Sequence, residues 1–231
     1  MTEMVNKSAS ASYSGRNTTC HIRGASGILY RGIRIENISY PLTISSIQAA
    51  ICSCLGNGDT PMEYFLDDQE PELLDVWVKE YDLKPGGKFP QKNVDLYDPL
   101  EVSITDFKEE LVRLTSYSVI PNSDFAVSAL LETDQGFIPG VNVETGSWAL
   151  GLCAERVAIS RALSAGYSNF KAIHLYAPDA NFVSPCGACR QVLLEIMPNA
   201  EAELYHGDGT FSRHLITDFL PFGFTSHKLK R

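Results

Sequence analysis

The chain carries two copies of one of its own segments. Residues 32–58 align without gaps on residues 140–166, so each position pairs with the one 108 residues later. A gapless match of this length predicts a duplicated fold, with homologous domains at residues 12–100 and 101–231 after a disordered start at residues 1–11. The identical pairs are Gly32/Gly140, Glu36/Glu144, Ser39/Ser147, Leu42/Leu150, Ala50/Ala158, Ile51/Ile159, Leu55/Leu163 and Gly58/Gly166.

Strand and helix patterns alternate along the second copy. Such alternation is typical of a sheet with helices on its faces. We therefore predict an α/β fold of two three-layer α-β-α domains, each with a mixed sheet of about five strands flanked by helices. The predicted helices are 106–118, 153–166 and 186–197, and the predicted strands are 124–133, 136–144, 171–178 and a final one at 202–207.

Charge and hydropathy exclude several classes of function. The formal net charge is -9 with a pI near 5.0, which disfavours a nucleic-acid surface. The basic cluster HKLKR at the C-terminus reads as a solvated tail. No apolar run reaches the roughly 18 residues of a membrane span, and the Ser-rich start has no signal-peptide core. These features predict a cytoplasmic protein without membrane or nucleic-acid partners.

Three cysteines of the second copy have the spacing of a metal site. Cys153 opens one predicted helix, and Cys186 and Cys189 open the next. Helix N-termini favour thiolates, and thiolates bind zinc. Three protein ligands leave a coordination position for water, which is typical of a catalytic site. His174, His206 and His214 are alternative fourth ligands, although each is more simply a strand or surface histidine.

Glu155 follows Cys153 by two residues and can face the open coordination position without being a ligand. C-x-E followed by P-C-x-x-C is the zinc-deaminase signature, here with Cys in the first ligand position. A structural zinc protein or a redox protein using Cys-Gly-Ala-Cys remains an alternative, but it leaves Glu155 without a role.

The motifs around these residues resemble a known family. CAERVAI, PCGACRQ, YSVIPNSDFAVSALL, GVNVE and FLPFGF, within residues 103–231, are similar to motifs of the three-Cys cytidine deaminases that act on free nucleosides. The resemblance implies one zinc ion per chain on Cys153, Cys186 and Cys189. It also implies that hydroxide from a zinc-bound water attacks C4 of the base while Glu155 shuttles protons.

The same resemblance assigns roles to further residues. Arg156 matches an arginine that hydrogen-bonds the ligand sulfurs and offsets their charge. Asn142 and Glu144 match the pair that binds the ribose hydroxyls, and Phe125 matches a ring packed against the base. The remaining implied contacts are the backbone N–H of Ala154 to the pyrimidine carbonyl and Phe224, with Phe222 competing for the alignment, as an aromatic from a neighbouring subunit.

The resemblance thus implies hydrolytic deamination of cytidine and deoxycytidine in pyrimidine salvage. A related small substrate, such as blasticidin S or a modified cytosine nucleoside, is the alternative. A nucleotide is disfavoured because no basic cluster accompanies the motifs. A polynucleotide substrate would require a basic groove and stacking aromatics, which this acidic chain does not show.

The first copy lacks the chemistry of the second. Ser45 takes the place of Cys153 and Ile47 that of Glu155, while Glu72 and Asp75 fall opposite Cys186 and Cys189. Cys52 and Cys54 are expected to be packed thiols. We predict a metal-free, inactive first domain that serves as a built-in partner subunit. The family resemblance further implies a homodimer that mimics a tetramer, with Tyr40 at the interface.

Overall fold

Two sheets of matching topology organise the chain. The computed structural model describes residues 11–67, 69–90 and 94–225. The predicted disordered start, except for Ala11, and the predicted basic tail lie outside the described residues. Below, the first half means residues 12–100 and the second half means residues 101–231.

The first half contains a four-stranded sheet in the order β2-β1-β3-β4. β1 pairs antiparallel with both β2 and β3, and β3 pairs parallel with β4. The elements are β1 (Thr19–Gly24), β2 (Leu29–Ile33), α1 (Ser46–Leu55), β3 (Pro61–Leu66), α2 (Leu74–Tyr81) and β4 (Lys84–Pro85).

The second half contains a five-stranded sheet in the order β6-β5-β7-β8-β9. Its first four strands repeat the pairing of the first sheet, because β5 is antiparallel to β6 and β7 while β7 is parallel to β8. The elements are α3 (Phe107–Thr115), β5 (Ser128–Thr133), β6 (Phe137–Val141), α4 (Ala154–Ala165), β7 (Phe170–Tyr176), α5 (Gly187–Ile196), β8 (Glu201–Tyr205) and β9 (Phe211–Leu215).

The predicted α/β architecture is confirmed, with four strands in the described part of the first sheet and five in the second. One prediction was wrong: the strand that ends at Tyr205 is not the final one. β9 follows it and pairs antiparallel with it at the edge of the sheet. Its alternate residues Phe211, Arg213 and Leu215 are exposed, so β9 lacks the buried run that marks a central strand.

Small residues let the central helix α4 lie close to its own sheet. A Cβ atom on Gly140 of β6 would lie 2.3 Å from the carbonyl oxygen of Ala154 and 2.8 Å from Cβ of Ala158. Gly32 of β2 makes the same approach to α1, where a Cβ would lie 2.1 Å from the Ser46 oxygen. Two glycines at the predicted offset therefore bring each helix onto its sheet.

α4 also packs against the first half, so the two halves share apolar contacts. One buried cluster combines Ile33 and Ala49 of the first half with Val143 and Val157 of the second. Arg161 of α4, which is only 3 % exposed, donates to the backbone carbonyls of Ser53 and Pro139. None of the helices in the described part of the chain has the length and apolar character needed to cross a membrane.

Candidate metal centre and active site

Three cysteine sulfurs meet where two helices begin. Cys153 is the N-cap of α4 and Cys186 is the N-cap of α5, with Cys189 in the first turn of α5. The three Sγ atoms all lie within 4.8 Å of one another. Cys189 is fully buried, Cys153 is partly buried and Cys186 is exposed, so the cluster opens to solvent on one side.

The spacing of the sulfurs fits zinc. Tetrahedral coordination with Zn–S bonds of about 2.3 Å separates two sulfurs by about 3.8 Å. The Sγ atoms of Cys153 and Cys186 lie 3.7 Å apart. In the described part of the chain, this is the group of metal-ligating side chains close enough to hold an ion, and it supplies three ligands.

Without metal, the three thiols share protons unequally. Hydrogen bonds from Cys153 and Cys189 lower the pKa of the Cys186 thiol. The hydrogen bond with Cys186 raises the pKa of Cys153, and hydrogen bonds with Cys153 and then Cys186 raise the pKa of Cys189. The Cys189 N–H also points at the Cys186 sulfur, 3.5 Å away. One thiolate is therefore favoured before metal binding, and a metal must displace the remaining protons.

Glu155 lies in the first turn of α4, two residues after Cys153, and only 4 % of its surface is exposed. Burial raises the pKa of its carboxyl to about 7, with a smaller opposing effect from Arg156. A carboxyl with a pKa near the working pH can both accept and release a proton, which is what general acid–base catalysis requires.

Arg156 makes a contact that the sequence did not predict. Its Nη2 donates to the carbonyl oxygen of Leu42 in the first half at 3.1 Å, and its buried Nε has no hydrogen-bond partner among the described residues. The hydrogen bonds of the described residues include none from Arg156 to a cysteine sulfur, so its role as a sulfur donor stays a prediction.

The three histidines weighed as a fourth ligand are engaged elsewhere. His174 is buried with Nδ1 3.0 Å from the Glu203 carboxylate and its ring stacked on Phe107. His206 and His214 both reach the hydroxyl of Ser212, at 2.9 Å and 3.0 Å.

The predicted ribose pair lies at the end of β6, held by the loop that precedes β5. The Asn142 amide accepts from the Val127 N–H and donates to the Phe125 carbonyl, at 2.8 Å in each case. Glu144 accepts from the N–H and the hydroxyl of Ser123. Partial burial opposes ionisation of Glu144, but hydrogen bonds from Ser123 and its neighbour lower the pKa below its usual range. The carboxylate is therefore an ionised acceptor.

The sequence also predicts substrate contacts for Phe125, Ala154 and Phe224. Phe125 lies in that loop with 40 % of its surface exposed. Ala154 is the fully buried first residue of α4. The Phe224 carbonyl accepts from Gln191 of its own α5 at 2.7 Å, while Phe222 is 96 % exposed. The assignment of Phe224 to a neighbouring subunit stays a prediction.

Comparison with known proteins identifies the family. A sequence profile described as the cytidine and deoxycytidylate deaminase zinc-binding region matches residues 102–200. The cytidine deaminase of Halalkalibacterium halodurans is 36 % identical over 124 residues, which are 52 % of this chain and 93 % of that protein. The chain belongs to the cytidine deaminase family.

Two further members of the family are similar to this chain. The cytidine deaminase of Sporosarcina psychrophila is 36 % identical over 123 residues, covering 52 % of this chain and 90 % of that protein. The crystal structure of cytidine deaminase from Burkholderia pseudomallei is 38 % identical, covers 50 % of this chain and 94 % of its own, and superposes with a TM-score of 0.48. Each match takes up about half of this chain.

The first half carries an ion-pair network at several positions aligned with the site residues of the second half. Ser45 caps α1 in the place of Cys153. Arg34, at the position of Asn142, donates to Glu36 at 2.9 Å and also pairs with Glu72, the residue aligned with Cys186. Charged side chains thus stand at the positions aligned with Asn142 and Cys186.

Sequence reasoning missed the residues that support the cytidine deaminase site. Ser123, which holds Glu144, lies in a motif recognised as family-like, and its equivalent Ser14 holds Glu36 in the first half. The two serines are 109 positions apart, so the gapless offset of 108 does not pair them, and only the structure shows that they are equivalent. The Leu42 carbonyl could not have been found, because a backbone acceptor has no residue-type signature.

Proposed function

We propose that this protein hydrolyses cytidine and deoxycytidine to uridine and deoxyuridine with release of ammonia. The observation that carries the proposal is the cluster of Cys153, Cys186 and Cys189 sulfurs at two helix starts, with Glu155 buried beside it. Membership of the cytidine deaminase family supports the same reaction.

Cys153, Cys186 and Cys189 would hold one zinc ion, which when bound supplies a Lewis acid that makes a water molecule nucleophilic near neutral pH. Glu155 accepts the proton of the attacking water at its carboxylate and delivers it to N3 of the cytosine. It then takes the proton of the new C4 hydroxyl and passes it to the 4-amino group, so that the C4–N bond breaks, ammonia leaves and the C4 carbonyl of uridine forms.

The nucleoside would be oriented by the loop and strand end next to this cluster. Glu144, an ionised acceptor fixed by Ser123, would accept from a ribose hydroxyl, and Asn142 would bridge the other. Phe125 would pack against the base, and the Ala154 N–H would contact the pyrimidine carbonyl. An acceptor for ribose hydroxyls favours a nucleoside over blasticidin S or free cytosine.

The first half, residues 12–100, would be a non-catalytic domain, and residues 101–231 the catalytic one. Ile47 cannot carry a proton, and Ser45 offers no thiol at the position of Cys153. Two chains would form a homodimer that mimics a tetramer. The exposed Tyr40 (83 %) and Trp148 (66 %), which stand at equivalent positions of two short 3₁₀ turns, are suited to that contact. All six cysteines are free, which suits a role in cytoplasmic pyrimidine salvage.

The proposal is tested by adding cytidine, deoxycytidine, cytosine and blasticidin S separately to zinc-loaded protein. Ammonia release and the ultraviolet change of the base are expected with the two nucleosides. Release from blasticidin S alone would favour the alternative substrate, and release from none of the four would refute the deaminase assignment.

Glu155→Gln separates catalysis from a structural zinc site. Loss of a positioned acid–base group costs about 10²- to 10⁴-fold in turnover, while the three thiols remain available for zinc. We expect full zinc content with that loss of rate. Unchanged turnover in this variant would overturn the proposed role of Glu155.

A further inference from the structure

One segment of the first half contacts both helices that carry the metal ligands. We call residues Ile38–Leu42 the clamp segment. At one end, the Leu42 carbonyl accepts from Arg156 of α4 at 3.1 Å. At the other end, the Ile38 N–H donates to both oxygens of the Glu195 carboxylate on α5, at 2.9 Å and 3.1 Å.

Glu195 receives a second donor from the first half. The Tyr13 hydroxyl lies 2.6 Å from its Oε1. Glu195 is in the last turn of α5, where a carboxylate faces unpaired carbonyls and the negative end of the helix dipole. A negative charge there is unfavourable for the isolated helix, so the contacts with Ile38 and Tyr13 are what stabilise it.

Equivalent contacts, with the roles of the two halves exchanged, recur on helices α1 and α2, which lack counterparts of the three clustered cysteines. The Leu150 carbonyl accepts from Gln48 of α1 at 2.9 Å, and the Gly146 N–H donates to Glu80 of α2 at 2.7 Å. Leu150, Gly146 and Arg156 stand 108 positions after Leu42, Ile38 and Gln48. The halves are therefore related by a pseudo-two-fold axis, and only one of its two clamps touches helices with metal ligands.

We propose that the clamp segment positions α4 relative to α5, through Arg156 and Glu195, and thereby sets the metal affinity of the three-cysteine site. Cys153 is fixed to α4, whereas Cys186 and Cys189 are fixed to α5. The distances among their sulfurs therefore depend on the relative position of the two helices. Metal–ligand distances tolerate errors of only about 0.2 Å. Arg156, which contacts the clamp segment, is only three residues along the chain from Cys153.

Glu195 acts further away, six residues or about 9 Å along the helix from Cys189. It is a positioning residue, because it contacts no ligand of the site. The inference depends on the proposed function only for the identity of the metal, and its readout does not require turnover.

The test compares Glu195→Ala with Glu80→Ala, which removes the equivalent carboxylate from the metal-free clamp. Zinc affinity is measured by competition with a chromophoric chelator, and Co²⁺ absorption reports the geometry of the thiolate ligands. Groups that orient metal ligands directly change affinity about 10- to 100-fold, so the more remote Glu195 is expected to give about 3- to 10-fold weaker binding. Glu80→Ala should leave zinc affinity within about 2-fold of the original.

Both variants should lower thermal stability similarly, since each loses a contact between the halves. Equal zinc affinity in the two variants would overturn the proposal. Glu195→Gln, which keeps one carbonyl acceptor for the Ile38 N–H, should restore part of the affinity.

If Glu195→Ala does not fold, Tyr13→Phe decides, because it removes one hydroxyl from the first half and leaves α5 unchanged. A weaker zinc affinity with altered Co²⁺ bands supports the proposal, and unchanged values overturn it. Absence of zinc binding in the unmodified protein would refute the metal site and the proposal together, whereas unchanged affinity in the variants refutes only the clamp.

Discussion

Arg161 gives the sharpest test of how the two halves are joined. Its side chain is buried in α4, and its three donor nitrogens reach both halves. Nη2 lies 2.8 Å from the Ser53 carbonyl, Nη1 lies 2.8 Å from the Pro139 carbonyl, and Nε lies 3.2 Å from the Ser53 hydroxyl. Arg161→Ala would leave two buried carbonyls without their donor.

The size of the effect follows from those two carbonyls. Each buried acceptor that loses its partner costs about 1–3 kcal/mol. A cavity of about 280 Å³ borders Arg161 and Ser53, so in Arg161→Ala water can reach part of the space that the arginine side chain leaves. Removing a buried charge also relieves its desolvation cost. We therefore expect Arg161→Ala to lower the free energy of unfolding by about 2–4 kcal/mol, which is the lower part of the range obtained by adding the costs of the two carbonyls.

The assay is urea unfolding of the zinc-loaded protein at pH 7, followed by circular dichroism and by tryptophan fluorescence. Trp77 is fully buried in the first half and Trp148 is exposed in the second, so fluorescence reports mainly on the first half. Ser53→Ala is the matched control, because it removes only the longest of the three bonds and should cost about 1 kcal/mol or less. A loss below about 1 kcal/mol for Arg161→Ala, or equal losses in both variants, would refute the reasoning.

Three further changes test the site and its inactive copy. Gly140→Ala would place a Cβ 2.3 Å from a backbone oxygen of α4, so we expect about 1–3 kcal/mol of destabilisation together with weaker zinc binding. Gly32→Ala should destabilise the protein without changing the zinc affinity of the folded form. A chelator titration of zinc affinity distinguishes the two variants. Cys153→Ser should abolish zinc uptake but keep native circular dichroism, because serine caps the helix as Ser45 does; full zinc content would contradict this. Burial opposes ionisation of Glu36, yet hydrogen bonds from the Ser14 side chain and backbone, from Arg34 and from the Tyr13 backbone lower the pKa of its carboxyl from 4.5 to about 2. Its stabilising effect is therefore present above about pH 4.5 and lost as the pH falls toward 2, so the stability difference between Glu36→Gln and the original should shrink over that range in urea titrations, and a constant difference would argue against it.

Much of the fold could be predicted because the two halves of the chain can be aligned with each other. The offset of 108 fixed equivalent helices, and α1 and α4 begin after Ser45 and Cys153 as the alignment requires. Boundaries were less accurate where the backbone serves the site. β5 was expected from residue 124 but begins at Ser128, because Asp124 has a φ of 55° in the turn that holds Glu144.

The metal ligands could be predicted because thiols are rare and their spacing is specific. The supporting contacts could not, since they join distant positions through backbone atoms or through common charged residues. Nothing in the sequence marks Glu195 as the partner of Ile38, or Arg34 as the partner of Glu72. These pairs depend on how the sheets and helices of the two halves pack against one another, which local patterns do not encode.

The pseudo-two-fold axis explains how one half can lose its chemistry while keeping its fold. Contacts between the halves include an apolar cluster and hydrogen bonds of backbone groups and side chains, and those described above involve none of the three thiols. Replacing Cys153 and Glu155 by Ser45 and Ile47 therefore leaves the shared interface intact. Glu36, the counterpart of Glu144, stays buried in the first half, where Tyr13 and Ser14 donate to it and Arg34 adds a donor at 2.9 Å. The first half thus keeps its fold without the three thiols, while its clamp segment contacts both helices that carry them.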